Sequence, residues 1–121
     1  TTIGKNNHIF SHASIGTIPQ DLKFNGEDVE LIIGDNNKIR EYTLFNPGTI
    51  GGGSITKIGD NNLFMGYVHV AHDCIIGNNC IVASHAYVGG KKFKDHTILG
   101  GLPAKQLREN INWSREKLPF K

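Results

Sequence analysis

Along this chain an aliphatic or phenylalanine residue recurs at every sixth position. The series runs Ile3, Ile9 and Ile15, then Ile33, Ile39 and Phe45, then Ile58, Phe64, Val70, Ile76, Val82 and Val88, and closes at Phe93 and Leu99. A hexad repeat predicts a chain wound into a parallel β-helix, because one short rung buries little and only stacked rungs share a continuous core. Three hexads make one triangular coil of about eighteen residues, and coils stack at roughly the 4.8 Å inter-strand spacing. The chain therefore holds about five coils. Position one of each hexad points inward, and so does position five, where small residues such as Ala13, Thr43, Val68, Cys74, Cys80 and Ala86 fill a narrow prism.

Glycine occupies position two at Gly4, Gly16, Gly34, Gly59, Gly77, Gly89 and Gly100, which suggests a corner backbone that a side chain would hinder. Asparagine-rich corners at Lys5-Asn6-Asn7, Asp35-Asn36-Asn37, Asp60-Asn61-Asn62 and Asn78-Asn79 support the same reading, since asparagine tolerates left-handed backbone. The inward Asn7, Asn37 and Asn62 are placed to ladder through their amides.

The register breaks twice in loops, at 17–32 and at 48–57, the second carrying Gly51-Gly52-Gly53. Loops on a rigid scaffold are where chemistry is usually mounted. A subtler break lies between Val88 and Phe93, where one residue of the hexad is missing at Gly89-Gly90-Lys91-Lys92. The β-helix thus spans 1–103, and a C-terminal tail over 104–121, containing Trp113, reads as a short helix or an extended segment, with helix the expectation.

Composition changes the picture in three ways. The net charge of +2 is too weak for a nucleic-acid footprint, yet residues 91–121 carry eight Lys/Arg against three Asp/Glu, while residues 1–90 carry five against eight. The basic end suits an anionic ligand or a carrier protein, or is simply a solvated tail. Cys74 and Cys80 both fall on inward position five and read as core fillers. There is no apolar run of membrane-spanning length and no signal-peptide pattern, so membrane insertion is not expected and the cytoplasm is. The first coil starts at Thr1 without a lead-in, which points to a fragment of something longer or to an end protected by assembly.

Tyr67-Val68-His69-Val70-Ala71-His72-Asp73-Cys74 is the densest chemical constellation. His72, beside a corner, suits a general base, and the adjacent Asp73 a carboxylate that orients it. Gly90 lies eighteen residues after His72, so stacking would set a bare backbone N–H near the base as an oxyanion donor. The plainer alternative is a set of corner histidines satisfied by neighbouring backbone. A metal centre is not expected, because only two residues separate His69 from His72, where hexapeptide carbonic anhydrases place four between ligands.

These residues resemble the UDP-N-acetylglucosamine O-acyltransferases that begin lipid A synthesis. The resemblance covers about Thr1 to Gly101: Pro19-Gln20-Asp21-Leu22-Lys23, Ile33-Gly34-Asp35 through Ile39-Arg40-Glu41, Asn46-Pro47-Gly48-Thr49 with its glycine run, and His69 to Cys74. It implies an all-β, left-handed parallel β-helix, a homotrimer with clefts between prisms, and acyl transfer from an acyl carrier protein thioester to a hydroxyl or amine of a UDP-linked amino sugar. By motif, His72 is the base, Asp73 its support, Gly90 the oxyanion donor, Asp21 and Lys23 the sugar-nucleotide loop, and His69 an auxiliary residue of the substrate site. The chain departs from the family in lacking its earlier coils, in having Lys91 where a histidine follows the glycine, and in its ending.

That ending, Gly101-Leu102-Pro103-Ala104-Lys105, is similar to short acetyl-CoA-dependent hexapeptide transferases, so the donor is either acyl carrier protein or acetyl-CoA, with no bound cofactor. Lys91, Lys92, Lys94, Lys105 and Arg108 are the candidates to attract donor phosphates. Two other classes stay open: a scaffold that binds without turnover, and a zinc-dependent hydratase.

Overall fold

The computed structural model describes residues 1–90 and 92–112. Most hexads contribute a two-residue strand, the sixth position of one hexad and the first of the next. The first coil gives β1 (Thr2–Ile3), β2 (His8–Ile9) and β3 (Ser14–Ile15); the second gives β4 (Glu30–Ile33), β5 (Lys38–Ile39) and β6 (Leu44–Phe45). The third gives β7 (Ile55–Ile58), β8 (Leu63–Phe64) and β9 (His69–Val70), and the fourth β10 (Ile75–Ile76), β11 (Ile81–Val82) and β12 (Tyr87–Val88). Last come β13 (Lys92–Phe93), β14 (Ile98–Gly101) and β15 (Ala104–Arg108). No described helix is long and apolar enough to cross a membrane.

Parallel pairing sorts the strands into three faces. The first is β1-β4-β7-β10-β13, the second β2-β5-β8-β11-β14, and the third β3-β6-β9-β12. Ile3, Ile33, Ile58, Ile76 and Phe93 stand in one column of the first face. Successive spacings in that column are 30, 25, 18 and 17 residues (33−3, 58−33, 76−58, 93−76), so the two loops add twelve and seven residues to a coil of eighteen and the last coil lacks one.

From the second coil onward most inward positions are sealed: Ile33, Ile39, Phe45, Ile58, Phe64, Val70, Ile76, Val82, Val88 and Leu99 are buried, as are Val68, Cys74, Cys80 and Ala86 at position five. Ile3 and Ile9 of the first coil are exposed, and Ile15 and Phe93 are partly buried. Phe45 and Phe64 meet edge to face with centroids 4.9 Å apart. Each such side chain taken out of water contributes about 1.5–3 kcal/mol. That is the source of stability in a fold whose strands are too short to hold themselves.

Turning the corners falls to position four, and of the position-two glycines Gly16 alone is left-handed, with φ 88°. Asn6, Asn36, Asn61 and Asn79, and likewise His12, Tyr42, Tyr67, Asp73, His85 and His96, have φ between 56° and 66°. The position-two glycines serve a different need, close packing: a Cβ on Gly34 would lie 2.1 Å from the Asp60 Oδ1 of the next coil. That Asp60 oxygen accepts the Asp35 N–H at 2.8 Å, and Asp35 in turn accepts from Lys5 at 2.7 Å. Beside it runs the amide ladder expected of Asn7, Asn37 and Asn62. Asn62 N–H donates to Asn37 Oδ1 at 2.9 Å while Asn37 Nδ2 donates to the Gly59 carbonyl at 2.9 Å. On the corner between the second and third faces, His12, Tyr42, Tyr67 and His85 form a stack with centroids 5.0, 5.1 and 4.8 Å apart.

The tail is the main correction to the expected architecture. Residues from Ala104 do not begin a helix; they turn back as β15, antiparallel to β14, with Ala104 buried against the core. The physical reason is the open edge of the last coil. Its ladder groups need partners, and a hairpin return satisfies them where a short polar helix would leave them bare. Trp113 and the rest of the tail through 121 lie outside the described residues.

Position five supplies a paired test of this packing. Asn62 is 1% exposed and its Oδ1 accepts the Cys80 N–H at 2.7 Å, so Asn62→Ala leaves buried groups orphaned and should lower unfolding stability by about 2–3 kcal/mol. Thr43 Oγ1 is buried without a hydrogen-bond partner, so Thr43→Val should raise stability by about 1 kcal/mol. Urea unfolding of both variants reads the signs. Unchanged or raised stability in Asn62→Ala would refute the ladder as a stabilising element.

Candidate active site

Both loops leave the prism at the corner between the third and first faces, the first between β3 and β4 and the second between β6 and β7. His72-Asp73 turns the same corner between β9 and β10, and Gly89-Gly90 turns it between β12 and β13. Topology thus stacks four chemically distinctive segments on one edge. A cleft of about 370 Å³ opens there, lined by Asp21, Lys23 and Phe24 from one loop, Thr49 and Gly52 from the other, and His72 with Asp73.

Asp73 holds the centre of this site. Its αL backbone, φ 66°, is one that aspartate adopts more readily than most side chains, and its N–H donates to Thr56 Oγ1 at 2.9 Å. Thr49 donates to the carboxylate twice, from its N–H at 2.6 Å and its hydroxyl at 2.5 Å. His72 Nδ1 lies 2.7 Å from Asp73 Oδ2. Burial works against the charge on Asp73, but the Thr49 hydroxyl and amide, and then His72, outweigh it and hold the pKa below the ordinary aspartate value. An ionised carboxylate only accepts, so Nδ1 of His72 carries a hydrogen, which makes Nε2 the basic nitrogen of the neutral ring. That is the arrangement of a general base, with the His72 side chain 34% exposed to the cleft.

Gly52 allows this approach. A Cβ there would lie 2.1 Å from the Asp73 carboxyl carbon, closer than any real contact, so Gly52 is a packing requirement of the base-support pair, while Gly51 and Gly53 face open space.

His69 is not on the cleft wall. It sits half-buried on β9, with Nε2 2.8 Å from Asn46 Oδ1 and the Tyr87 ring edge-on at 5.2 Å. Burial first, and the charge of nearby His72 second, keep its pKa below the ordinary histidine value. The sugar-loop candidates do join the cleft: Asp21 Oδ1 accepts the Lys23 N–H at 3.1 Å, folding the loop into a turn.

Gly90 requires a correction of register. Counting eighteen from His72 puts it level with the base, but Ile75 pairs with Lys92 and Ile76 with Phe93, a step of seventeen. Gly90 has φ 52° and so takes the αL corner slot that Asp73 fills in the coil below. The five-residue hexad must still turn its corner, and glycine adopts that conformation at least cost, so the missing residue is one from the slots before it. The bare amide therefore stands above Asp73 rather than above His72.

The donor candidates are dispersed. Lys92 begins β13 on the first face, next to the cleft corner, whereas Lys105 and Arg108 lie on β15 of the second face, across the prism from His72. Lys94 pairs with Glu109 at 2.5 Å, and Lys91 lies outside the described residues. The separation follows from β15 pairing with β14, which the tail's composition did not reveal. Thr49, Thr56, Gly52 and Asn46 were not singled out as site residues, because their partners are set by loop geometry; the legible signal was the Asn46-Pro47-Gly48-Thr49 segment itself.

Residues 55–90 match the family model for bacterial transferase hexapeptide (six repeats). The chain is 82% identical over 101 residues to an acyl-[acyl-carrier-protein]–UDP-N-acetylglucosamine O-acyltransferase of Aliarcobacter butzleri, a match covering 83% of this chain and 39% of that protein. A protein of the same name from Nautilia profundicola is 66% identical over 102 residues, covering 84% and 39%. The chain thus spans about two fifths of the length of these curated relatives. The crystal structure of the UDP-N-acetylglucosamine O-acyltransferase from Moraxella catarrhalis superposes with a TM-score of 0.70 at 31% identity, covering 95% of this chain and 61% of that one. The Campylobacter jejuni UDP-N-acetylglucosamine acyltransferase gives 0.67 at 36%, covering 83% and 46%.

Fold and repeat together make this a hexapeptide-repeat transferase scaffold, a left-handed parallel β-helix. Within that class the chain belongs to the UDP-N-acetylglucosamine O-acyltransferase family.

The Thr49 clamp has a pH signature. A carboxylate with a depressed folded pKa contributes stability that is complete above its unfolded value, near 3.9, and is lost as pH falls through the lower folded value. Thr49→Val removes one donor and raises the folded pKa, so its acid-unfolding midpoint, followed by circular dichroism, should move to higher pH than in the parent chain. A coincident midpoint would mean that the Thr49 hydroxyl does not hold the charge.

Proposed function

We propose that the chain carries the base and the acceptor loop of an acyltransferase moving an acyl group from an acyl carrier protein thioester to a hydroxyl of UDP-N-acetylglucosamine, in a lipid A-type pathway. One observation carries this reading: the His72–Asp73 pair opens onto the same cleft as Asp21 and Lys23. The names of the relatives supply the donor and the acceptor. We take the working unit to be a homotrimer in which a neighbouring prism completes the cleft, as the family resemblance implies.

In this mechanism Asp21 and Lys23 hold the sugar nucleotide, Lys23 by its charge toward phosphate. The bare Nε2 of His72 takes the proton from the sugar hydroxyl as the oxygen attacks the thioester carbonyl carbon. Asp73 steadies the imidazolium that forms. A backbone N–H of the Gly89-Gly90 turn stabilises the oxyanion; the carbonyl then re-forms, the C–S bond breaks, and the thiolate takes the proton back from His72. No step needs a bound cofactor or a covalent enzyme intermediate.

The placement of Lys105 and Arg108 on β15, away from this corner, counts against acetyl-CoA, since neither of these two described cations stands beside the base of its own chain. A second reading, binding of the sugar nucleotide without turnover, is favoured by the five-residue hexad, which moves the bare amide one slot from the base.

Purified chain given UDP-N-acetylglucosamine should consume acyl carrier protein thioester in preference to acetyl-CoA, and His72→Ala should lower the rate by about 10²–10⁴-fold. Lys23→Ala should weaken acceptor binding by about tenfold or more, read by calorimetry. Absence of any His72-dependent turnover would remove the enzyme reading. Binding that persists in that case would support the second.

A further inference from the structure

Asn46 joins the two halves of the candidate site and has no role in the mechanism above. It is 1% exposed and follows Phe45 at the base of the second loop. Its Nδ2 points at two carbonyls of the first loop, Thr17 O at 3.0 Å and Ile18 O at 3.3 Å. Carbonyls only accept, so the amide orientation is dictated by its partners. Oδ1 then faces Nε2 of His69 at 2.8 Å, and because that oxygen also only accepts, Nε2 carries the hydrogen. The root being held lies four residues before Asp21, counted from Thr17.

We infer that Asn46 is a positioning residue, which ties the root of the Asp21–Lys23 loop to the His69 imidazole and fixes that ring as the Nε2–H tautomer with Nδ1 bare. Loop and ring then move as one unit. Burial and the neighbouring His72 favour a neutral His69, in keeping with a ring that has a fixed donor and a fixed acceptor. The inference deepens the acyl-transfer reading, in which the loop binds the acceptor. A loop released from Asn46 would bind the sugar nucleotide less tightly, while His72 and Asp73, held by Thr49, would keep their geometry.

Two readouts need no turnover. Long-range proton–nitrogen correlation spectra of the histidine rings in the parent chain should show His69 protonated at Nε2 and bare at Nδ1; the opposite tautomer overturns the inference. Trypsin should cut after Lys23 about tenfold faster in Asn46→Ala, the loss expected for two hydrogen bonds of about 1 kcal/mol or less each. Should that variant fail to fold, Asn46→Asp keeps the size and the acceptor for His69 but repels the loop carbonyls. It should keep the Nε2–H signal, shift the His69 titration to higher pH, and still speed cleavage after Lys23. Unchanged cleavage in the folded variant overturns the link. With UDP-N-acetylglucosamine, the same variant should raise Kd, or KM in an active chain, about tenfold while changing kcat less than threefold; a loss confined to kcat would contradict a positioning role through the loop. An inactive parent chain with the expected tautomer and cleavage would remove the acyl-transfer reading and leave the Asn46 link standing.

Discussion

Every rung of this molecule owes its height to the amide hydrogen bonds between coils. A two-residue strand has almost no pairing energy of its own. It is held because the N–H of each rung finds the carbonyl of the next, as when Gly34 donates to Ile58 and Gly59 to Ile76, and because the corners between the rungs are laddered as well. The Asx ladder and the asparagine ladder share one corner, where the second and third coils are hydrogen-bonded to the coils on both sides. With register fixed this tightly, a side chain placed at a given slot is also placed in space, to within the pitch of one coil.

The candidate site uses that rigidity on the opposite side of the prism wall. Asp73 occupies a corner slot that asparagines fill elsewhere, but its carboxylate is turned toward the second loop and accepts from Thr49 and His72. A structural position has been given a charge, and Gly52 of the second loop lies against it. The acceptor loop is tied by Asn46, whose buried amide meets carbonyls on one side and an imidazole on the other. Loops of different length are thereby brought to one cleft by a scaffold that does not change from coil to coil.

Much of this was legible in the residues. Hexad phase and burial coincide because an inward slot is a fixed multiple of the period, so the core columns and the Asn7–Asn37–Asn62 ladder followed from position alone. The pairing of His72 with Asp73 was legible because the two are adjacent in the chain. What escaped depends on choices that the period leaves open. Gly89 and Gly90 are equally permissive, and only the backbone decides which turns the corner. The tail's fate was decided by the unpaired edge of β14, a property of the last coil and not of the residues that follow it. Thr49 and Asn46 act across 24 and 23 positions of chain, distances at which composition is silent.

The short hexad between Val88 and Phe93 divides the molecule into two phases. Below it, coils free of loops are interchangeable cassettes: an eighteen-residue block could be spliced in or out and the pattern would close up behind it. Above it, all positions arrive one residue early. Any chimera assembled from such proteins must therefore make its junction wholly on one side of that step, since a crossover within it would exchange the side chain at the edge while leaving every buried residue in place.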